Sequence, residues 1–376
     1  MKKSVFILLV VATIDRIILQ GIYPVLPVMV ANLGVSKKDT GMFMTITYIS
    51  IALGSMLTAR LLKYYSSVNK LSLIISVLTA VALYAMGVQS GYVGLLVATS
   101  CYWCLSGIQI NIYSVIMSYI STAENIGGNY GLLANTTLTG AVIGSFLIGP
   151  VIHTWGNFYA FLFLGILTIA ARLVMMLADY DIVYAQHKYI GEFKLSKRLW
   201  ILLISFNTGI MLSFMGRFNL SLIMKEHHYN LNDISYIFAW GSLIVFPLPY
   251  LFGLLSQKVS NKLLLIITLL CVTASMAVLY KGVSYPAFLT VSFLICIMTY
   301  CSRGVSQKII YDMYPLKQQT QAQSILSSSN WIAGIFGFLL VSIASDVLSL
   351  QQVSLLGFIV GLLSVLLLMA SRITGK

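Results

Sequence analysis

Charged side chains stand in the middle of apolar stretches of this sequence, where they are able to carry protons or bind ions. Asp15 and Arg16 lie near the centre of the first stretch, from Val5 to Pro27. At about 1.5 Å per residue, a helix of this length crosses a hydrocarbon core of roughly 30 Å. Charges near its midpoint are costly unless they face water or a partner. The sequence therefore predicts a polar interior inside an apolar shell.

Asp15 is the acid that we expect to carry a proton. Among the ten acidic residues it is the only one deep in a predicted helix. A low dielectric favours the neutral, protonated carboxyl group, which suits a group that binds and releases a proton. Arg16 points about 100° away around the helix. The alternative is an ion pair between Asp15 and a cation of another helix that holds the two halves together without titrating.

Two further deep cations, Arg217 and Arg303, are candidates for gripping a substrate carboxylate or phosphate. A guanidinium stays charged when buried and binds such groups bidentately. The alternative is a gate or an interhelical ion pair, for example between Arg303 and Asp312. Arg172, near the inner end of its helix, is expected to extend to the membrane interface. Because deep cations outnumber deep acids, an anionic or zwitterionic substrate is favoured over a cationic one.

The composition indicates a membrane protein. Hydrophobic residues make up 59% of the chain and charged residues 9%, and the mean hydropathy is +0.92. These values exclude an ordinary soluble domain. The net charge of +13 comes largely from short loops, which indicates the positive-inside rule rather than nucleic-acid binding. The distribution of these cations places both termini in the cytoplasm.

Metal, redox and nucleotide chemistry are not predicted. The five cysteines all lie in apolar runs, so Cys101-x-x-Cys104 is not interpreted as a redox motif and no disulfide framework is expected. Adjacent histidines such as His227 and His228 diverge on most backbones, so we predict no metal site. The sequence has no phosphate-binding Gly-x-x-x-x-Gly-Lys loop. No cofactor is therefore expected.

Twelve membrane-spanning helices are predicted from runs of about 17–25 apolar residues. Their predicted ranges are 4–30, 39–63, 70–89, 92–120, 131–153, 158–178, 198–225, 233–256, 263–281, 286–312, 321–345 and 352–372. The longest polar connection, 179–197, is interpreted as a cytoplasmic linker between an N-terminal bundle, 1–178, and a C-terminal bundle, 198–376.

The two halves repeat one another. Asn69-Lys70-Leu71 after the second helix matches Asn261-Lys262-Leu263 after the eighth. Asp39 and Asp233 open the second and eighth helices, and the pair Cys104 and Gly107 matches Cys301 and Gly304, all at a nearly constant offset. Parallel repeats of this kind are a known transporter plan, with the substrate site at their interface.

With these features the chain resembles the major facilitator superfamily over essentially its whole length. The resemblance implies an all-α polytopic protein of twelve transmembrane helices, in two six-helix bundles related by a pseudo-two-fold axis. The family's loop motif after the second helix is altered here, with Lys63 at its Asp position and Ser66 at its Gly position. By this resemblance Arg60, Lys63 and Lys258 are predicted to act in conformational change.

The fifth predicted helix is similar to the family's exporter signature, which is a run of spaced glycines that ends in Gly-Pro. Gly149-Pro150 matches it strictly, whereas Thr136, Ser145 and His153 stand at other Gly positions. Gly149 and Pro150 are therefore assigned a conformational role, and export is implied. The alternative is plain small-residue packing, which Gly140-x-x-x-Gly144 also supports. In the fourth helix Trp103 stands where proton-coupled relatives often carry an Arg.

In this family the first, fourth, seventh and tenth helices line the central cavity, so their polar residues are the candidate substrate ligands. These are Arg16, Gln20, Tyr102, Gln109, Asn111, Asn207, Arg217, Arg303 and Gln307. Arg303 and Gln307 are four residues apart and share a helix face.

The sequence therefore predicts a secondary transporter that works by alternating access and exports a small amphiphilic or anionic compound in exchange for protons. Its expected partners are that substrate, protons and the bilayer of the cell membrane, and it is expected to be a monomer that binds no nucleic acid. An importer or uniporter is the alternative within transport. The others are a non-transporting protein of the same ancestry and a membrane enzyme acting on lipids, for which no catalytic set is found.

Overall fold

The computed structural model describes residues 3–65, 67–121, 126–178, 180, 196–256, 258–282, 284–313 and 316–371. All regular elements within these ranges are helical, which confirms the predicted all-α fold class. The helices are α1 (Lys3–Ala31), α2 (Lys37–Tyr64), α3 (Val68–Val88), α4 (Tyr92–Ile120), α5 (Ile126–Met175), α6 (Lys197–Glu226), α7 (Leu231–Val245), α8 (Leu248–Leu255), α9 (Asn261–Lys281), α10 (Tyr285–Cys296), α11 (Ser302–Met313), α12 (Leu316–Ala344) and α13 (Leu350–Ala370).

These helices follow the twelve predicted spans, with three local breaks. Helix α5 covers the predicted fifth and sixth spans, and it is interrupted at Gly156, whose φ is 73°. Glycine adopts this left-handed conformation without a Cβ clash, so the chain changes direction there. Pro247 lies between α7 and α8, where its missing N–H interrupts the helix. A π-helix, Ile297–Cys301, joins α10 to α11.

The helices have the length and composition of membrane spans. Among the described residues, ten helical stretches are long and apolar enough to cross a bilayer. One of them, Gly131–Met175, contains the break at Gly156 and is 45 residues long. A shorter apolar stretch, Ser329–Ala344, lies in α12. The protein is therefore a multi-pass membrane protein.

The contacts divide the chain into two compact units. The N-terminal unit contains Met1–Val35, Ile46–Lys188 and Leu231–Ala239, and the C-terminal unit contains Ser36–Thr45, Tyr189–Asn230 and Trp240–Lys376. The first turns of α2 thus belong to the C-terminal unit, and the first turns of α7 to the N-terminal unit. Most of the predicted linker lies outside the described residues.

In the N-terminal unit, glycines bring α1 against the first arm of α5. A Cβ on Gly144 would lie 2.2 Å from the carbonyl oxygen of Ile17, and one on Gly140 would lie 2.5 Å from the Arg16 side chain. Helices α2 and α4 approach just as closely, at Gly54 and Cys104. The backbones can come this close because the small residues leave room. This packing fixes the position of α1 around Asp15.

Tyr180 ties the end of the second α5 arm to the start of α1. Its hydroxyl group donates a hydrogen bond to the carbonyl oxygen of Ser4, at 2.7 Å. Burial raises the pKa of Tyr180 to about 12, so the phenol keeps the proton that it donates at any physiological pH.

In the C-terminal unit, α6 packs against α9, α12 and α13. Asn219 in α6 donates a hydrogen bond to the hydroxyl oxygen of Ser354 in α13, at 3.0 Å. Gly337 in α12 meets the α6 backbone, since a Cβ there would lie 2.7 Å from the carbonyl oxygen of Met211. Helix α6 is therefore the centre around which the polar residues of this unit are placed.

Candidate functional site

Asp15 lies at the centre of a buried charged cluster in the N-terminal unit. Arg172, in the second arm of α5, forms an ion pair with the Asp15 carboxylate, and the hydroxyl group of Tyr113 in α4 donates a hydrogen bond to the same carboxylate oxygen. The Arg172 Cζ atom also lies 5.1 Å from the centroid of the Tyr113 ring, within the range of a cation–π interaction. Three helices thus meet at one carboxylate.

Hydrogen bonds to α3 extend this cluster. Arg172 donates through Nε to the hydroxyl oxygen of Ser76, at 2.6 Å. Gln109 in α4 donates to the hydroxyl oxygen of Ser72, at 2.8 Å. The guanidinium is therefore held in place by a carboxylate and a hydroxyl group, as a buried cation requires.

The prediction that Arg172 extends to the membrane interface is wrong. Its side chain is 1% exposed, whereas that of Asp15 is 18% exposed. The carboxylate of Asp15 attracts the guanidinium inward, because opposite charges interact strongly where water is excluded. The partner that we considered for Asp15, a cation from another helix, is thus Arg172, and it belongs to the same unit as Asp15.

A small cavity of about 20 Å³ adjoins the ion pair. This volume is about that required by one water molecule. Four of the candidate residues line it together with Arg172: Asp15, Arg16, Tyr102 and Gln109. The cavity therefore admits a water molecule beside the carboxylate and excludes anything the size of a metabolite.

Two other candidates in the N-terminal unit lie apart from this cavity. Asn111 donates a hydrogen bond to the backbone oxygen of Ser55 in α2, at 2.8 Å. Gln20 is half-buried in α1 and does not line the cavity. Gln109 and Asn111 thus contact different helices, because residues two apart point to different faces of a helix.

Trp103 belongs to a buried aromatic group instead of a charged one. It is 1% exposed, and its ring centroid lies 4.9 Å from that of Tyr48 and 6.3 Å from that of Tyr23. The arginine that pairs with the deep acid in this chain therefore comes from α5.

In the C-terminal unit, Arg217 is surrounded by different chemistry. Its side chain is buried in α6, with Nη2 3.9 Å from the sulfur of Cys296 and Cζ 5.8 Å from the centroid of the Tyr300 ring. Tyr300 lies in the π-helix and half-buried Arg303 follows it in α11. Short π-helical turns inside an α-helix are frequent at functional sites. The side chains of Gln307 and Asp312 lie outside the described part of the chain.

A larger groove separates α6 from α12 in the same unit. Its volume is about 560 Å³, and its lining is mostly apolar. The candidate Asn207 lies in its wall, where its side-chain oxygen accepts a hydrogen bond from the hydroxyl group of Ser329, at 2.9 Å. The polar candidates of this unit therefore fall at two places, Asn207 in the groove and Arg217 beside Tyr300.

The residues assigned to conformational change lie at surfaces and at one tight contact. Arg60 and Lys258 are exposed, Pro150 is half-buried, and the side chain of Lys63 lies outside the described part. Gly149 is different, because a Cβ there would lie 2.1 Å from the hydroxyl oxygen of Ser235 in α7. The missing side chain of Gly149 therefore allows α5 to pack closely against α7.

Sequence reasoning missed Arg172 as part of the site, and it noted Tyr113 as a polar residue of the fourth helix without placing it beside Asp15. A signal for Arg172 was present, because a chain with a single deep acid and several deep cations must pair one of them with it. The choice among Arg16, Arg172, Arg217 and Arg303 depended on the tertiary structure. Within the described residues, no three His, Cys, Asp or Glu side chains are grouped so as to hold a metal ion.

Comparison with known proteins agrees with this architecture. The family model described as Major Facilitator Superfamily matches residues 201–374. Over this C-terminal stretch the chain is similar to the major facilitator superfamily. No protein among those of curated function matches the sequence.

Solved structures share the fold over nearly the whole chain. A peptide transporter POT covers 99% of this chain and 95% of its own, with a TM-score of 0.79 and 12% identity. The structure of the nucleoside transporter NupG covers 98% of this chain and 99% of its own, with a TM-score of 0.80 and 11% identity. A third structure is that of a bacterial homologue of the human lysosomal transporter Spinster, in an inward-facing and occupied conformation. It covers 97% of this chain and 95% of its own, with a TM-score of 0.76 and 12% identity. At such identities the likeness establishes the fold.

Proposed function

We propose that this transporter works by alternating access and exports a small anionic or zwitterionic amphiphile in exchange for protons, with Asp15 as the proton carrier. The observation that carries the proposal is the buried cluster of Asp15, Arg172 and Tyr113. It brings the one deep acid of the sequence next to a cavity the size of a water molecule.

Protonation of Asp15 changes the bonding of three helices at once. The ionised carboxylate neutralises Arg172 and accepts the hydrogen bond from Tyr113. A proton on Asp15 removes most of that attraction, so the contacts among α1, α4 and α5 differ between the two protonation states. Asp15 is the more exposed member of the pair, and it is the member that can accept a proton, because a guanidinium has donors only.

The charge of the substrate is inferred from the other unit. Arg217 is buried beside a thiol and an aromatic face, and half-buried Arg303 follows in α11. A guanidinium in such surroundings attracts an anionic group of a ligand. Arg217 and Arg303 are therefore proposed to bind the carboxylate or phosphate of the substrate.

Export is supported by the Gly149-Pro150 pattern of the predicted fifth helix.

One observation favours co-transport of substrate and proton as a second candidate. When Asp15 is protonated, the charge of Arg172 is no longer neutralised, and the added positive charge favours an anion at the substrate arginines, so proton and anion binding would strengthen each other. Exchange instead requires that they compete. The two candidates differ in the direction in which protons move.

The direction of proton movement distinguishes them. Purified protein is reconstituted into liposomes that contain a pH-sensitive dye and 5-aminolevulinic acid. This zwitterion forms a complex with a POT family transporter whose solved structure is similar to this chain, with a TM-score of 0.78 and 12% identity. As this compound leaves, exchange acidifies the interior and co-transport makes it alkaline. An uncharged nucleoside serves as the control and is expected to move no protons.

Variants test the role of Asp15. Asp15→Asn is expected to abolish proton movement, whereas Asp39→Asn, an acid in the first turn of α2, leaves it intact. In infrared difference spectra after a pH jump, the part of the carboxyl C=O band that comes from Asp15 is expected in the wild type and is expected to be missing from Asp15→Asn. A folded Asp15→Asn protein that still moves protons, or that keeps this band, would show that another group carries the proton.

A further inference from the structure

We propose that the groove between α6 and α12 binds the apolar body of an amphiphile at a point where that body carries an uncharged hydroxyl or amide group. This inference rests on the proposed function, because it describes the end of the substrate that the arginines do not bind. Its evidence comes from the C-terminal unit alone.

The size and lining of the groove fit such a ligand. Pockets for drug-sized molecules measure about 300–1,000 Å³ and are lined mainly by apolar side chains, and this groove measures about 560 Å³. Large apolar side chains line it while remaining about half exposed: Trp200, Ile204, Ile332 and Phe336. Covering them with the apolar body of a ligand adds van der Waals contacts, which favour association of apolar surfaces within a membrane.

The polar part of the lining selects an uncharged group. No charged side chain is among the described residues that line the groove, so an ion there would lack a partner. The hydroxyl group of Thr208 bonds back to the Ile204 carbonyl oxygen, at 2.8 Å. The polar groups that remain for a ligand are those of Asn207 and Ser329, which form a hydrogen-bonded pair. The carboxamide of Asn207 has both donors and an acceptor.

The two helices hold this groove open in a defined way. Gly337 lets α12 touch the backbone of α6 at Met211, at one end of the groove. The hydrogen bond between Ser329 and Asn207 joins the two helices about two turns of α12 before Gly337. A ligand therefore meets a preformed wall with its polar pair at a fixed place.

Tryptophan quenching tests binding without a transport assay. The full-length protein is placed in phosphatidylcholine nanodiscs and titrated with bromododecanol, which carries a quenching bromine, an alkyl chain and one hydroxyl group. We expect a saturable component of quenching that disappears in Trp200→Phe. It persists in Trp240→Phe, which removes a similarly exposed tryptophan of α7 that does not line the groove.

A filling substitution tests the site itself. Ser329→Leu removes the hydroxyl group and occupies the groove, and we expect it to weaken binding by about tenfold or more. Ser345→Leu, just beyond the end of α12, is the matched control and should bind as the wild type does. Unlabelled dodecanol should compete with the probe.

Other results would overturn the inference. Quenching that rises linearly, is equal in both tryptophan variants and ignores Ser329→Leu would mean that the probe only partitions into the bilayer. The same titration on Asp15→Asn separates the two proposals. Saturable binding there, together with failed proton movement in the wild type, would refute proton coupling and leave the groove as a binding site.

Discussion

The two units place a deep arginine in opposite surroundings. In the N-terminal unit, Arg172 is paired with the carboxylate of Asp15 and bonded to Ser76. In the C-terminal unit, Arg217 lies against the sulfur of Cys296 and the face of Tyr300. A carboxylate can gain and lose a proton at moderate energy, whereas a thiol and an aromatic face leave the positive charge in place. In the proposed function, this difference is the reason for placing the proton in the N-terminal unit and the substrate anion in the C-terminal unit.

The largest expected effect is the loss of one member of the buried pair. Arg172→Gln leaves the Asp15 carboxylate without its counter-ion, and removing one partner of a buried pair costs about 3–5 kcal/mol. The free energy of unfolding, measured in detergent, should fall by that order. The double variant Asp15→Asn/Arg172→Gln should recover most of it, because no charge is left unpaired, but should still fail to move protons. A double variant that is as unstable as the single one would remove charge pairing as the explanation.

A smaller effect is expected where packing positions Asp15. Gly144→Ala adds a Cβ that would lie 2.2 Å from the Ile17 carbonyl oxygen, so α1 must shift. Overpacking of this kind costs about 1–3 kcal/mol, and proton movement should decrease with it. Gly131→Ala is the control in the same helix, since nothing lies within 4 Å of the added atom. Equal effects of the two substitutions on unfolding would contradict the close approach of α1 and α5.

A smaller effect on stability and substrate affinity is expected from substitutions beside Arg217. Tyr300→Leu removes the aromatic face, and a cation–π contact is worth about 0.5–2 kcal/mol. Tyr300→Phe keeps the face and should remain close to the wild type, both in unfolding and in the apparent affinity for 5-aminolevulinic acid. If Tyr300→Phe were as impaired as Tyr300→Leu, the hydroxyl group would be the important part, and the contrast with Arg172 would lose its basis.

The smallest effect is expected at the surface of the C-terminal unit. Lys38 pairs with Asp346 at 2.7 Å, and about half of each side chain is exposed. Exposed pairs are screened by salt and contribute little, so Lys38→Met should change the unfolding temperature least of these variants. High salt should abolish the change that is seen. A salt-resistant loss as large as that of Arg172→Gln would break the comparison between buried and exposed pairs.

The sequence by itself determined the fold class, the twelve apolar spans and the position of Asp15 deep in the first of them. Apolar length and the high cost of a charge in hydrocarbon depend on local composition, so they can be read without a structure. The family resemblance also followed from the sequence, and the family model and the shared fold confirm it.

The tertiary structure decided which residues meet. Arg172 pairs with Asp15 because α5 turns at Gly156 and returns beside α1, α3 and α4, a path that no local pattern encodes. The groove beside Asn207 likewise depends on how close Gly337 brings α12 to α6. Both sites join residues more than 100 positions apart, so their geometry follows from helix packing and not from spacing along the chain.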